Sequence, residues 1–157
     1  MNGFKQFVTE DEDVAKSLAK LPAHHRMLVK GYKFLFEPGN TLKGDDGHVG
    51  MIVNKPNKVV RIAAPWNYGR EFTLLHEIAH LVYEVYIRGT PFEKSWEQLS
   101  MSTPDRKKDE PAEELFCHAY ANHFAKNKIE IHNHPEWDQF IRKVCAVKKR
   151  VDKSMIP

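Results

Sequence analysis

Two histidines and a glutamate lie in the middle of an almost wholly apolar stretch, FTLLHEIAHLVYEVYI, which runs from Phe72 to Ile87. The spacing of its apolar residues predicts a helix. In an α-helix, positions four apart lie about 40° apart around the axis, so His76 and His80 project side by side, and Glu77 lies about 100° from His76. Burying these three groups without partners would destabilise the fold by several kcal/mol. A bound cation removes that penalty, and we therefore expect a metal site here.

The five residues HEIAH match the H-E-x-x-H pattern of zinc peptidases. In that pattern both histidines bind zinc, and the glutamate is the general base for a water that the metal activates. The alternative is structural: His76 and His80 would be core histidines hydrogen-bonded to the backbone, with Glu77 at the surface.

A catalytic zinc takes a third protein ligand besides a water, so another element has to supply it. Glu114, His118 and Ala121 share one face of a predicted helix, and Glu114 is the best candidate. Its alternative role is to stabilise the helix N-terminus through the macrodipole, which is also the role we expect for Glu110 and Glu113. His118 lies one turn beyond Glu114, where it is either an alternative ligand or a group that orients a ligating histidine.

The remaining pattern predicts a small sheet among helices, an α+β fold. Capping residues and apolar spacing predict the helices, and β-rich runs between turn residues predict the strands. A segment with two prolines and several charges is expected to be a long surface loop. The predicted helices are 10–20, 22–30, 68–88, 111–126 and 134–148, the strands are 32–36, 48–54 and 58–64, and the loop is 89–109.

Composition narrows the class of protein. With 157 residues, 41% of them hydrophobic, and no compositional break, residues 1–157 are expected to form one domain, with 1–9 flexible. Lys and Arg number 24 against 21 Asp and Glu, and no basic stripe appears, so nucleic acid is not an expected partner. No signal peptide and no membrane span are predicted, which indicates a cytoplasmic protein or release by a non-classical route. The oligomeric state is left open.

The other residue types with chemical potential are given structural roles. The two cysteines lack CxxC spacing and are expected to be free thiols, with Cys117 as a small buried helix residue. Four histidines are expected at the surface in preference to an auxiliary metal site, and three tryptophans are expected to pack in the core. These residues are His24, His25, His132 and His134, and Trp66, Trp96 and Trp137.

The zinc motifs carry a resemblance to a known family. HEIAH followed by EELFCHAYANHF looks like the gluzincin arrangement, and it most resembles the catalytic domain shared by anthrax lethal factor and the Pro-Pro endopeptidases. LPAHHRMLVKGYKFLF is similar to that family's opening helix and first strand, HVGMIVNKPNKVVRIA to its next strands, and HPEWDQFIRKV to its closing helix. The likeness thus covers most of the chain, although only the zinc motifs are specific.

The resemblance implies a fold and an activity. The fold would be a zincin-like single domain, with a small twisted sheet packed on the HExxH helix, a second helix bearing the glutamate ligand and a C-terminal helix. The activity would be that of a zinc endopeptidase acting on a protein or peptide substrate, with one zinc per chain. His76, His80 and Glu114 would bind the zinc and Glu77 would be the general base. His118 would stand behind the ligands, where the family usually has a carboxylate.

The chain departs from the family in two respects. The family often has a tyrosine just upstream of the third ligand to stabilise the oxyanion, but none occurs here between Tyr86 and Tyr120. Its members are also typically exported, whereas this chain lacks the expected signal. The substrate is expected to add as a strand at the sheet edge, for which His48–Val53 is a candidate. In place of the missing tyrosine, the candidate donors to the oxyanion are Ser102, Thr103, Arg106 and Lys107.

A second resemblance and a second class of function remain open. ELFCHAYA is similar to the Glu-x-x-Cys-Asn-x-Phe-Ala helix of the phage-repressor-cleaving regulatory metallopeptidases. That family continues to a Leu-Met-Pro-like ending, whereas this chain reads FAKNKIEI, and the likeness ranks second. The alternative function is a non-catalytic binding or assembly module stabilised by zinc. Glu77 favours the enzyme, because a purely structural site needs no general base.

Overall fold

Helices make up most of the structure, and one small sheet accompanies them, in keeping with the α+β class. The computed structural model describes residues 14–36, 50–52, 58–62, 70–103, 110–129 and 132–151. The elements are α1 (14–19), α2 (Ala23–Arg26, continued by a 3₁₀ turn, Met27–Val29), β1 (Lys33–Phe36), β2 (Gly50–Ile52), β3 (Val59–Ile62), α3 (Arg70–Val82, continued by a π-helical turn, Tyr83–Ile87), α4 (Pro91–Met101), α5 (Ala112–Phe124) and α6 (Pro135–Ala146). The predicted helices and strands are confirmed where the structure describes them.

The sheet has three strands in the order β1-β3-β2. β1 is parallel to β3, and β2 is antiparallel to β3, with Gly50 opposite Ile62. Val60 and Ile62 of the central strand are fully buried, and both β2 and β3 pack against α3. Within the described sheet, β2 is therefore an edge strand beside the HEIAH helix, as expected for 48–53.

Helix α3 is the centre of the core. Nine of its 13 residues are buried, because apolar residues surround nearly the whole helix. Glu71 in its first turn accepts hydrogen bonds from Ser17 Oγ at 2.7 Å, from the Lys20 ammonium and from the Lys126 backbone N–H at 2.7 Å. One carboxylate thus fixes the start of α3 to α1 and to the segment after α5.

The last turn of α3 is a π-helix, closed by the Arg88 N–H donating to the Tyr83 carbonyl at 2.8 Å. The Arg150 guanidinium donates to the carbonyls of Val85 at 2.9 Å and of Arg88 at 2.6 Å. Gly89 follows at φ 75°, and a Cβ there would lie 2.8 Å from Arg150 Nη2. Arg150 therefore satisfies carbonyls that the helix terminus leaves open, and a side chain at position 89 would displace its guanidinium besides straining the positive φ.

The expectation of a surface loop over Gly89–Asp109 is wrong, because α4 occupies Pro91–Met101. The Thr90 hydroxyl accepts from the Phe92 N–H at 3.3 Å, and Pro91 takes the first helical position, where its missing N–H has no consequence. A proline can mark a helix start as well as a loop, and Pro91 does the former. Trp96 is fully buried against α5 and α6, so this helix is part of the core and no surface lid; residues 104–109 lie outside the described ranges.

Replacing Trp96 with alanine is expected to lower the free energy of unfolding by about 3–5 kcal/mol. The change leaves a cavity beside Phe116 and Phe140, and it deprives the Ala112 carbonyl of the indole N–H that now donates to it at 2.7 Å. Urea unfolding followed by circular dichroism measures the loss. Met101→Ala is the control on the same helix, since Met101 is 66% exposed, and it should change stability by less than about 0.5 kcal/mol. Equal effects of the two variants would contradict the packing of α4.

The surface position expected for His25 is also wrong. Its side chain is fully buried, and Nδ1 lies 2.9 Å from the Tyr120 hydroxyl of α5. Its ring also lies against Tyr86, at a centroid distance of 5.3 Å. Burial and the neighbouring His24 lower the pKa of His25 to about 4. His25 is therefore a neutral core residue that joins α2 to α3 and α5.

Stability is expected to fall as His25 is forced to titrate. Above the ordinary pKa of 6.5, His25 is neutral in both states and contributes no pH dependence. As the pH falls from 6.5 towards 4, His25 binds a proton in the unfolded chain but stays neutral in the folded protein. The free energy of unfolding therefore falls, by about 2 kcal/mol at pH 5. Urea unfolding at pH 7 and pH 5, for wild type and His25→Gln, isolates this contribution as a double difference. Equal losses in both proteins would exclude it.

The remaining core expectations are confirmed where they can be checked. Trp96 and Trp137 are 0% and 2% exposed, and Trp66 lies outside the described residues. Both cysteines are free thiols, and burial raises the pKa of Cys117 well above its ordinary value. No helix within the described ranges combines the length and the apolar character needed to cross a membrane.

Candidate metal centre

Helices α3 and α5 pack together and bring the predicted ligands to one place. Glu114 of α5 points its carboxylate between two imidazoles of α3: Oε2 lies 3.0 Å from His76 Nε2, and Oε1 lies 3.1 Å from His80 Nε2. The two rings lie 5.1 Å apart between centroids. The helical spacing that suggested a shared site thus places both Nε2 atoms against the same carboxylate.

The opposite nitrogens of these imidazoles also face carboxylates. His76 Nδ1 lies 3.4 Å from Glu77 Oε1, and His80 Nδ1 lies 3.2 Å from Glu113 Oε2. Glu113 is paired in turn with the Arg88 guanidinium. Glu77 is 5% exposed, so the alternative that put it at the surface is wrong. A carboxylate behind each histidine is the arrangement that orients metal-ligating imidazoles.

The charges of these groups are strongly coupled. Burial opposes protonation of His76, but hydrogen bonds to Glu114 and Glu77 outweigh it and raise the pKa of His76 to about 9. The pKa of His80 is raised as well, because its bond to Glu114 overcomes the effect of burial. Hydrogen bonds from His76 and His80 hold the pKa of Glu114 well below its ordinary value. The protein thus carries positive charge between carboxylates at the place where a cation would bind.

The residues fit a zinc ion in their donor chemistry. Two imidazole nitrogens and a carboxylate oxygen are typical ligands of catalytic zinc. In the described chain, however, the ligand atoms of His76, His80 and Glu114 do not all lie within 4.8 Å of one another, whereas those of two other triplets do. Those triplets are His76, His80 and Cys117, and His76, Glu114 and His118.

His118 stands beside this centre, with its ring 4.9 Å from that of His76. Its Nε2 lies 2.8 Å from Glu110 Oε1. The ring stacks on His132 at 4.4 Å with an interplanar angle of 2°, so His132 is part of this cluster and not the isolated surface histidine expected. Burial and then the charge of His76 hold the pKa of His118 below its ordinary value.

Sequence reasoning missed two carboxylates and an arginine at this centre. Glu110 and Glu113 were expected only to stabilise the start of α5, yet they contact His118 and His80. Arg88 pairs with Glu113 and also with Glu84 one turn earlier. The run of acidic residues before α5 was the available signal, but spacing alone does not say which of them reaches which histidine.

The candidate oxyanion donors are engaged elsewhere or lie outside the described residues. The hydroxyls of Ser102 and Thr103 donate to the Leu99 carbonyl at 3.0 and 2.9 Å. Thr103 Oγ1 also accepts from the Trp137 indole N–H at 2.9 Å. Arg106 and Lys107 lie outside the described ranges. The two described hydroxyls thus cap α4 and hold Trp137.

Comparison with known proteins found no match for this chain. The chain matches no protein-family model, and it has no significant match among curated proteins or solved structures.

Proposed function

We propose that this protein is a zinc-dependent endopeptidase that hydrolyses peptide bonds of a protein or peptide substrate. The observation that carries the proposal is the Glu114 carboxylate, whose oxygens lie 3.0 and 3.1 Å from Nε2 of His76 and of His80. One zinc per chain would be held by these three residues. It would supply Lewis acidity to a water molecule and to the peptide carbonyl.

The chain's own residues perform the proton transfer and the positioning. Glu77 takes a proton from the attacking water at its carboxylate and delivers it to the leaving amine. Glu113 accepts from His80 Nδ1 and so keeps Nε2 of that imidazole facing Glu114. Arg88 pairs with Glu113 and fixes its orientation.

The zincin-like architecture is part of the same proposal. The sheet packs on α3, the glutamate ligand is on α5 and α6 packs against α5, as the sequence resemblance implies. β2 lies at the edge of the described sheet beside α3, where an extended peptide can add as a further strand.

A second candidate function is a non-catalytic binding or assembly module that uses zinc to fix α3 against α5. It is favoured by the hydroxyls of Ser102 and Thr103, which are bound to the Leu99 carbonyl and to Trp137. Neither hydroxyl is positioned as a free oxyanion donor, and loss of such a donor reduces turnover by about 10²- to 10³-fold.

A zinc-dependent cleavage assay distinguishes the two functions. Zinc-loaded protein is incubated with a proteome-derived peptide library, and new peptide ends are counted by mass spectrometry with chelator, without it, and after zinc is restored. The endopeptidase is expected to generate new ends that vanish on chelation and return with zinc. Stoichiometric zinc without cleavage, together with loss of helical circular dichroism on chelation, would favour the assembly module instead.

A further inference from the structure

One nitrogen of the His118 imidazole is hydrogen-bonded, and the other has no hydrogen-bond partner among the described residues. Nε2 lies 2.8 Å from Glu110 Oε1, whereas Nδ1 is buried and has no hydrogen-bond partner within the described ranges. A neutral imidazole that donates from Nε2 presents a lone pair at Nδ1. A buried acceptor without a partner destabilises the fold, so a hydrogen-bond donor or a cation at Nδ1 would be stabilising.

The position of His118 brings it within reach of the proposed metal. His76, Glu114 and His118 each offer a ligand atom, and all three atoms lie within 4.8 Å of one another. The His118 ring is held in its plane by the parallel stack on His132 at 4.4 Å. Phe72 packs on both of these rings, at 6.2 and 6.4 Å. The ring is thus restrained beside the centre instead of turning towards solvent.

His80 and His118 are built in the same way. Each has one ring nitrogen on a glutamate carboxylate, Glu113 for His80 and Glu110 for His118. The other nitrogen of His80 faces Glu114 at 3.1 Å, whereas that of His118 has no hydrogen-bond partner among the described residues. A carboxylate behind a histidine in this way is how outer groups orient ligating imidazoles. We infer that His118 is a fourth protein ligand of the metal, through Nδ1, besides His76, His80 and Glu114.

Four protein ligands change the state of the site. A zinc ion with four protein ligands is closed, whereas a catalytic zinc keeps one position for water. If the chain is the endopeptidase proposed above, on which this step alone rests, His118 has to leave the metal before a water and a peptide can bind. The closed form would then be the resting one, and Glu110, which bonds to Nε2, would keep the released imidazole close by.

The number of imidazoles on the metal tests this assignment without any substrate. X-ray absorption spectroscopy of the zinc-loaded wild type is expected to give three imidazoles, and His118→Ala is expected to give two. His123→Ala is the matched control, because His123 is also on α5 but bonds to Asp138, and it should keep three. Zinc affinity alone would not discriminate, since loss of a group behind a ligand also weakens binding by about 10- to 100-fold.

Access of an added ligand provides a second readout. In cobalt-loaded wild type, acetohydroxamate is expected to leave the visible absorption unchanged, and in His118→Ala it should shift the spectrum by occupying the opened position. Two imidazoles in the wild type would overturn the role of His118 and leave the proposed function standing. Three imidazoles on the metal in both the wild type and His118→Ala would also overturn it, because another histidine would then supply the third imidazole. Failure of the wild type to take up zinc would overturn both proposals, and the wild-type count decides even if His118→Ala does not fold.

Discussion

Replacing Glu77 with glutamine is expected to reduce peptide hydrolysis by about 10²- to 10⁴-fold while the protein keeps its zinc. An amide cannot take the proton of the attacking water, yet it has nearly the volume of the carboxylate, so the buried position beside His76 stays filled. Initial rates on the peptides found in the library assay, with plasma mass spectrometry for zinc content, measure both parts. Glu136→Gln is the control, because it makes the same chemical change on the exposed start of α6.

The position of Glu77 gives this experiment a second use. Its Oε1 lies 3.4 Å from His76 Nδ1, where a carboxylate can also orient the ligand. If Glu77 only orients His76, Glu77→Gln should lower zinc affinity by about 10- to 100-fold, and saturating zinc should then restore turnover. Slow turnover that persists at saturating zinc therefore identifies the general base. Full activity of Glu77→Gln would exclude both roles and with them the proposed mechanism.

The elements that the sequence predicted well are those with strong local signals. α3 is apolar almost all round, and α5 and α6 begin at prolines that suit a first helical turn or its cap. α4 was missed because its starting proline, Pro91 after the capping Thr90, counted towards the loop predicted over Gly89–Asp109. The π-turn that ends α3 has two of its carbonyls bound by Arg150, which is remote in sequence, so no local pattern predicts that contact.

The candidate site divides in the same way. The spacing of His76 and His80 was sufficient to predict a shared cation, because helix geometry alone brings them together. The pairing of Glu113 with His80 and of Glu110 with His118 depends on how α5 lies on α3, which neighbouring residues do not encode. The burial of His25 is likewise a tertiary effect, since its partner Tyr120 lies 95 residues away.

Replacing His76 with alanine is expected to abolish zinc binding, the largest effect on the metal of any single change. His76 is the one residue common to both triplets of closely spaced ligand atoms, so no such triplet remains in the described chain without it. Glu113→Gln removes only the carboxylate behind His80, and it should keep one zinc per chain with affinity weakened about 10- to 100-fold.

Competition with a chromophoric zinc chelator measures both affinities, and His123→Ala controls for the loss of a histidine remote from the centre. Wild-type affinity in His76→Ala would mean that His76 does not bind the metal. Equal losses in His76→Ala and Glu113→Gln would mean that Glu113 is itself a ligand. The two substitutions differ in what fills the space that they leave. Water can hydrogen-bond to His80 in place of the Glu113 carboxylate, so the ligand itself is kept. No other imidazole of α3 is free to replace His76 on the metal, because His80 is already a ligand.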